Sequence, residues 1–580
     1  MLTALKSWGE LYEQEIKLYE NISADYVIVI ELDSQGNYIR VSIEDFTREN
    51  LGKYLYRKAQ GSNPPTETPT LLLNNKCIEK SIGNLIKAND NLGKFGNIPE
   101  INIEPNKVKK DIQKLIKDQK KKYILTVRFD GKYIGEMEEY INALEESIKS
   151  EYGTEFICGI CGERKKVSYR IPFKFLTYDK PGYFVGWFEG KTKNEFYSNC
   201  PVCFDCYEKM RIARRKLEEL KFNLAGVEYL FIPETLKKDT LSKVKELLHS
   251  LEKFWLKQID IAELENKLKS LAEEGLFLSL SHLLDESEIS GNKGLDFLSV
   301  FRKLKDIVWG HFLFIKKEQS RESIELYIND VFPSRIDQLF RIKEYIEKLD
   351  LVKDFDYGKV KEFFESKEDF YVVVDATFRG AKIADTYIFR VLMEKLRQYV
   401  LELESRVIPK NSQIMKAMAV YLFIKLSTED LKMDEIKKPE DLQDMLKWIE
   451  SLPTVKNEDW KVALTLLGCL VEHLMEEQRR QRGSKPFLKK LKSLKMRWED
   501  FLGLLPELRQ KLEEYEIYDY KSVKTLYDEV SERLLKAEKP KTAIDELNFY
   551  FVAGMGIYGK FKDLFFRKNK IKNKDEEAQS

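Results

Sequence analysis

The sequence predicts an α+β chain: an N-terminal mixed α/β region with a four-cysteine zinc module, a mainly helical middle region and a C-terminal all-α helical bundle. Three observations predict it. Strand-like runs with turn chemistry between them occupy the first 150 residues, and two Cys-x-x-Cys pairs cluster between Cys158 and Cys206. Beyond Pro409 strand signals nearly vanish, and leucine-rich segments recur at helical spacing. The expected divisions are 1–150, the zinc module 151–216, a central region 217–408 and the bundle 409–580.

At 580 residues and 43% hydrophobic content the chain can bury several cores. Lys+Arg 98 against Asp+Glu 97 excludes a polybasic coat, so any nucleic-acid contact must come from local charge asymmetry. The N-terminal stretch places Leu5, Trp8 and Leu11 at helical spacing without the apolar core of a signal peptide. The longest apolar run, near Val462 to Val471, is about half a bilayer span. A cytoplasmic protein without membrane partners is expected.

In chain order, Tyr26–Leu32 and Tyr38–Ile43 read as a hairpin around the turn residues 33–37. Residues 59–69 are too rich in Pro, Gly, Ser and Asn to be anything but a loop, and Gln60, Ser62 and Asn63 offer hydrogen bonds to base edges or phosphates. A Lys-rich helix over 105–122 reads as a solvated face. Tyr123–Phe129 follows as a strand with Asp130-Gly131 as its turn, and a helix then runs to about Ser150.

Cys158-Gly-Ile-Cys161 and Cys203-Phe-Asp-Cys206 each point two thiolates at one centre, the ligand pattern of structural Zn²⁺. A thioredoxin-like pair would need one such turn in a βαβ frame, and a disulfide framework suits neither the chain's size nor its seven cysteines. With no His in the segment, a catalytic zinc with an open position is not expected. Cys200-Pro-Val-Cys203 repeats the spacing, so Cys200 leaves the register open. The linker is aromatic (Tyr178, Tyr183, Phe184, Trp187 and Phe188 among others), and Lys209, Arg211, Arg214, Arg215 and Lys216 follow on a basic helix. Of these, Arg214 and Arg215 are candidate phosphate contacts.

The central region shows helical periodicity at Leu247, Leu248, Leu251 and Phe254, and again at Leu295, Leu298, Phe301, Leu304 and Val308. Tyr371-Val-Val-Val-Asp375 reads as a strand ending on a turn or cap aspartate. The last region reads as about five helices, near 412–426, 460–480, 486–515, 520–536 and 543–566. Within it, Arg479, Arg480, Arg482, Lys485, Lys489, Lys490, Lys492, Lys495 and Arg497 outnumber Glu476 and Glu477, which makes this face the leading candidate for nucleic-acid backbone contact.

Gly554-Met-Gly556-Ile-Tyr-Gly559 matches the dinucleotide fingerprint by letter, but too little chain follows for the second strand, and close helix packing is the better account. Gly186 to Thr192 is one residue short of a phosphate loop. His249, His282, His311 and His473 are isolated from catalytic partners. No enzyme centre assembles from these residues.

Several motifs in order carry a resemblance: Tyr54-Leu-Tyr56 with the loop after it, Ile157-Cys-Gly-Ile-Cys161, Phe173-Lys-Phe175, Asp179-Lys-Pro-Gly182, Asn199-Cys-Pro-Val-Cys203-Phe-Asp-Cys206, Lys485-Pro-Phe-Leu-Lys489 and Asn548-Phe-Tyr-Phe-Val-Ala-Gly554. Together they resemble the large subunit of type I-B CRISPR Cascade complexes, the RNA-guided DNA-surveillance assemblies. An aromatic commonly stands in that family where this chain has Cys200, which favours Cys203 and Cys206 as the second ligand pair.

The resemblance implies a non-catalytic subunit that helps recognise the protospacer-adjacent motif. It would hold guide RNA, target duplex and displaced strand, and recruit a helicase–nuclease. Implied partners are the Cascade backbone subunits, the subunit that binds the guide 5′ end, and a small helical subunit. The last can arise from an internal start, for which Met415 and Met418 are candidates. Two readings from other classes stand beside it: a stand-alone zinc-containing nucleic-acid-binding factor, and a metal-dependent nuclease with an unrecognised carboxylate site.

Overall fold

The computed structural model describes residues 1–15, 17–59, 63–150, 152–173, 175, 200–279, 293–318, 321–401, 410–434 and 437–566. The chain divides into two units, each described by itself. The first comprises Met1–Lys221, Leu230–Leu248 and Leu313–Tyr327; the second comprises Phe222–Tyr229, His249–Phe312 and Ile328–Ser580.

In the first unit Tyr26–Leu32 pairs antiparallel with Tyr38–Asp45 and parallel with Tyr123–Phe129. The expected hairpin is present, and Leu71–Leu72 and Lys132–Tyr133 complete a five-stranded sheet. Asp130 and Gly131 both have positive φ, as a two-residue hairpin turn of this twist requires. The alternation of the strands divides two cores. Ile28, Ile30, Leu125 and Val127 bury against the helices Ile78–Gly93, Pro105–Leu115 and Glu138–Ser150, while Val27, Val29 and Ile124 meet Leu51, Tyr54 and Tyr56 on the other face. The Lys-rich helix buries only Val108 and Ile112 and ends at Leu115, so Lys117 to Lys122 lie beyond it.

The helix Leu2–Glu10 lies against Phe204–Leu220. A Cβ on Gly9 would sit 1.9 Å from the Lys209 carbonyl oxygen, so only glycine admits that approach.

The central region carries more strand than its periodicity predicts. Phe222–Leu224, Val227–Thr235, Val308–Glu318 and Arg321–Val331 make a four-stranded sheet. The helical period that begins at Leu295 stops with the helix Lys293–Phe301, and Val308 opens a strand. Short apolar runs do not distinguish buried strand from buried helix, which is why periodicity misassigned this stretch.

The opposite error falls at Tyr371–Asp375, which belongs to the helix Lys367–Arg379. Ser366 accepts from the Asp369 N–H as N-cap, and Gly380 closes the helix at φ +70°. Phe370, Val373, Val374 and Thr377 bury one face. Caps and packing override the weak helix penalty of three valines. Asp375 pairs with Arg379 one turn on, so it is a helix-surface residue.

The C-terminal helices are Lys410–Thr428, Leu442–Ser451, Asp459–Arg482, Trp498–Glu514, Lys521–Lys536 and Ile544–Phe566. Leu442–Ser451 was not expected, and the segment 486–515 breaks into a 3₁₀ stretch, Pro486–Leu494, and a helix. Asp459–Arg482 is the axis of the bundle. From Trp460 to Met475 every side chain is buried except the half-buried Lys461, because neighbours cover it on all sides.

Candidate metal centre and charged faces

The two Cys-x-x-Cys turns converge through a small sheet. Thr154–Ile157 pairs with Arg164–Ser168, which pairs with Val202–Cys203 so that Val167 stands opposite Cys203. The first turn is tied by Cys158 N donating to Glu163 O at 2.9 Å and Gly162 N to Cys158 O at 2.9 Å, with Gly162 at φ +76°. Gly159 N reaches across to Pro201 O at 2.7 Å, and Cys203 N donates to Cys158 Sγ at 3.3 Å. Cys203 then caps the helix Phe204–Leu220 and Cys206 lies in its first turn, where the helix dipole favours thiolate.

The sulfurs of Cys158, Cys161, Cys203 and Cys206 all lie within 4.8 Å of one another. A tetrahedral Zn–S shell of about 2.3 Å spaces its sulfurs by roughly 3.8 Å. The Cys161 and Cys203 sulfurs stand 3.9 Å apart, so the set fits zinc with no large rearrangement. Cys200 is not in the group. Cys203 is pulled down to about 5, first by the hydrogen bond from the Cys206 thiol, and Cys206 is pushed up because it donates that bond. Four thiolates at this spacing repel one another, and a divalent cation is the charge that relieves them. Three of the four are buried. Such a shell holds a metal and offers it no open position, which suits a structural staple.

Lys6, from the N-terminal helix, also feels these sulfurs. Burial opposes its charge, but the Glu10 carboxylate, with Cys206 and Cys161, raises its pKa. No local sequence signal marks that contact.

The basic helix after Cys206 turns inward. Arg214 packs over the Phe173 ring, 4.7 Å from its centroid, and bonds Glu218, Glu322 and the Pro172 carbonyl. Arg215 is half-buried with its Nε shielded from solvent. Arg214 is thus committed to internal partners, whereas Arg215 makes no ion pair among the described residues. Asn63 is exposed at the end of the breaker-rich loop, while Gln60 and Ser62 lie outside the described residues, as do Tyr178, Tyr183, Phe184, Trp187, Phe188 and His282.

The C-terminal basic face is partly self-neutralised. Arg480 pairs with Glu477, Arg482 with Glu514, Lys490 with Glu507 and Lys492 with Asp500. Lys485 is only 18% exposed and bonds both Glu472 and Glu476, tying the 3₁₀ stretch to the axial helix. Arg479, Lys489 and Lys495 are exposed and make no ion pair among the described residues. With Arg497, which is likewise exposed and without an ion pair among the described residues, these are the cations of this run most available to an anion. Two of the dinucleotide-like glycines are packing residues: Gly554 lies against Thr465 and Cys469, and Gly556 against Ile414.

A four-cysteine cluster able to hold a metal ion, within an α+β chain that ends in a helical bundle, defines the class of protein. Family models for the N-terminal, central and C-terminal domains of CRISPR-associated protein TM1802 match residues 1–146, 155–331 and 355–568, in that order. The chain belongs to that CRISPR-associated family. Among curated proteins none matches it. No helix among the described residues is long and apolar enough to cross a membrane.

Proposed function

We propose that this chain is the non-catalytic large subunit of a type I-B Cascade complex. It helps recognise the protospacer-adjacent motif, holds guide RNA and separated target strands, and recruits the helicase–nuclease. The observation that carries the reading is the ordered run of three domains of one CRISPR-associated family along almost the whole chain. Two features support it. Four cysteines around one metal would leave it no catalytic position, and Arg479, Lys489 and Lys495 stand exposed without an ion pair among the described residues. In such assemblies base pairing reads sequence, so the protein needs only a short motif reader and charge along the strands.

Affinity purification of the full chain from its own cells, with sequencing of bound RNA, tests the reading. A multi-protein particle carrying one small guide RNA is the expected result. A lone chain that binds nucleic acid without partners, or one with metal-dependent nuclease activity, overturns it.

A further inference from the structure

Three stretches of the first unit meet around one buried ion network. Arg57, 4% exposed, donates from Nε to Glu67 at 2.8 Å, from Nη2 to Glu208 at 3.1 Å and from Nη1 to the Leu18 carbonyl at 3.3 Å. Glu208, 3% exposed, also receives Arg211, whose other arm reaches Glu20 at 2.8 Å. Glu208 lies two residues beyond the ligand Cys206, on the helix whose first turn the metal site anchors. Arg57 and Glu67 form the stem of the breaker-rich loop. Glu67 N bonds Arg57 O at 2.9 Å, Ala59 N bonds Pro65 O at 3.0 Å, Lys58 bridges Thr66, and Thr68 Oγ1 donates to Leu55 O at 2.7 Å.

A buried ion network is a poor way to gain stability, since well-packed apolar residues of equal volume do as well or better. What it supplies here is register, because the planar guanidinium fork and the cost of leaving a buried charge unpaired favour the arrangement in which Arg57 and Glu208 meet. Here the register fixed is that of the loop stem on the metal-bearing helix.

We propose that Arg57 and Glu208 are positioning residues through which a metal on Cys158, Cys161, Cys203 and Cys206 sets the stem of the 58–66 loop. The inference rests on the reading of that loop as a nucleic-acid contact. Loss of the metal releases the first turn of Phe204–Leu220, displaces the Glu208 carboxylate, and leaves Arg57 held only from its own stem and Leu18. The ends between which Gln60 and Ser62 lie in sequence, Ala59 and Asn63, then lose their fixed spacing.

Hydrogen–deuterium exchange on the full chain, zinc-loaded and zinc-stripped, tests this. In the wild type, stripping is expected to accelerate exchange about tenfold in peptides spanning 55–68, as well as in those spanning 154–168, with Ile78–Gly93 unchanged as control. In Arg57→Met with Glu208→Met, which replaces the charges by apolar volume and leaves all four cysteines, zinc content should hold. The 55–68 peptides should then exchange alike with and without metal. A wild-type stem indifferent to stripping overturns the inference, as does a double variant that still responds like the wild type. A separate arm selects motifs from a pool of random-sequence duplexes. If the stem responds to zinc but neither form enriches a motif, the coupling stands and the reading of the loop falls.

Discussion

Gly468 and Gly554 face each other where the helices Asp459–Arg482 and Ile544–Phe566 cross, with the Gly554 Cα 3.2 Å from the position a Cβ on Gly468 would take. On Gly554 a Cβ would lie 1.8 Å from the Thr465 carbonyl oxygen, and the Cys469 thiol donates to the Gly554 carbonyl at 3.2 Å. The backbones touch, so neither side chain nor helix can give way cheaply. Gly554→Ala should lower stability by about 1–3 kcal/mol or more. Gly503→Ala, in an exposed helix position with open space around it, should raise stability by roughly 0.5–1 kcal/mol. Denaturant midpoints of the two variants decide. Equal, small effects would mean that the crossing is not close-packed.

Arg335 bonds the carbonyls of Thr377 and Ser427, which lie in the last turns of Lys367–Arg379 and Lys410–Thr428. No carboxylate pairs with it among the described residues; its other contact is Gln338 Oε1. The guanidinium therefore serves two helix dipoles at once, supplying donors to carbonyls that the helices leave unpaired. Arg335→Met should cost roughly 2–4 kcal/mol, since buried acceptors lose their donors. Arg335→Lys should recover only part, because one ammonium lacks the planar fork that spans both ends. Full recovery by lysine in thermal unfolding would count against a geometric role.

Much of this architecture was legible in the chain, and the misses share a cause. The cysteine spacing announced the metal site because each ligand pair is local in sequence. The hairpin at 26–45 was legible because turn residues separate two strand runs. Tyr371–Asp375 was misread because its signals, Ser366 and Gly380, lie outside the valine run that drew attention. The strands at 308–331 were missed because apolar runs of that length fit either element. Arg57 and Glu208 are 151 residues apart, and no pattern within either neighbourhood predicts that they meet. Charge counts along 476–498 located the basic face but could not show that Lys485 points into two glutamates.

Metal removal should act as local unfolding. The three short strands of the cysteine module have little core of their own, and binding free energy there is folding free energy. Cys158→Ser with Cys161→Ser should abolish stoichiometric zinc, make the 151–216 segment sensitive to limited proteolysis, and reduce assembly with partners. Cys200→Ser should leave zinc content near one per chain, because Cys200 stands outside the sulfur cluster. Loss of zinc in Cys200→Ser, measured by metal analysis, would reassign the ligands.

His473 is fully buried, with Nδ1 3.0 Å from the Tyr558 hydroxyl. Burial holds its pKa down at about 4 against an ordinary 6.5, with Glu477 acting weakly the other way. The unfolded chain thus takes up a proton between pH 6.5 and 4 that the folded chain refuses, and stability must fall as pH drops through that window. The full loss is about 3 kcal/mol. His473→Phe should be somewhat less stable near neutrality, yet lose less between pH 6.5 and 4 than the wild type. Carboxylates titrate in the same range in both proteins, so the difference between the two profiles isolates the imidazole. Parallel profiles would mean that His473 is solvated or moves on protonation.

The basic face separates charge that is displayed from charge that is used internally. Arg479, Lys489 and Lys495 have no ion-pair partner among the described residues, whereas Lys485 is engaged by Glu472 and Glu476. An anion approaching the first three need not break an internal pair; one approaching Lys485 must compete with two carboxylates, one of them buried. Counterion release then predicts unequal effects. Arg479→Gln, Lys489→Gln and Lys495→Gln together should weaken binding of single-stranded nucleic acid by the assembled protein and reduce the slope of log affinity against log salt by roughly 2, at about 0.7 for each phosphate no longer neutralised. Lys485→Gln should leave that slope unchanged and instead lower the unfolding midpoint, because it removes a cationic partner of the buried Glu472 carboxylate and the tie between the 3₁₀ stretch and the axial helix. A slope that drops with Lys485→Gln and not with the triple variant would place the nucleic acid on the opposite set of charges.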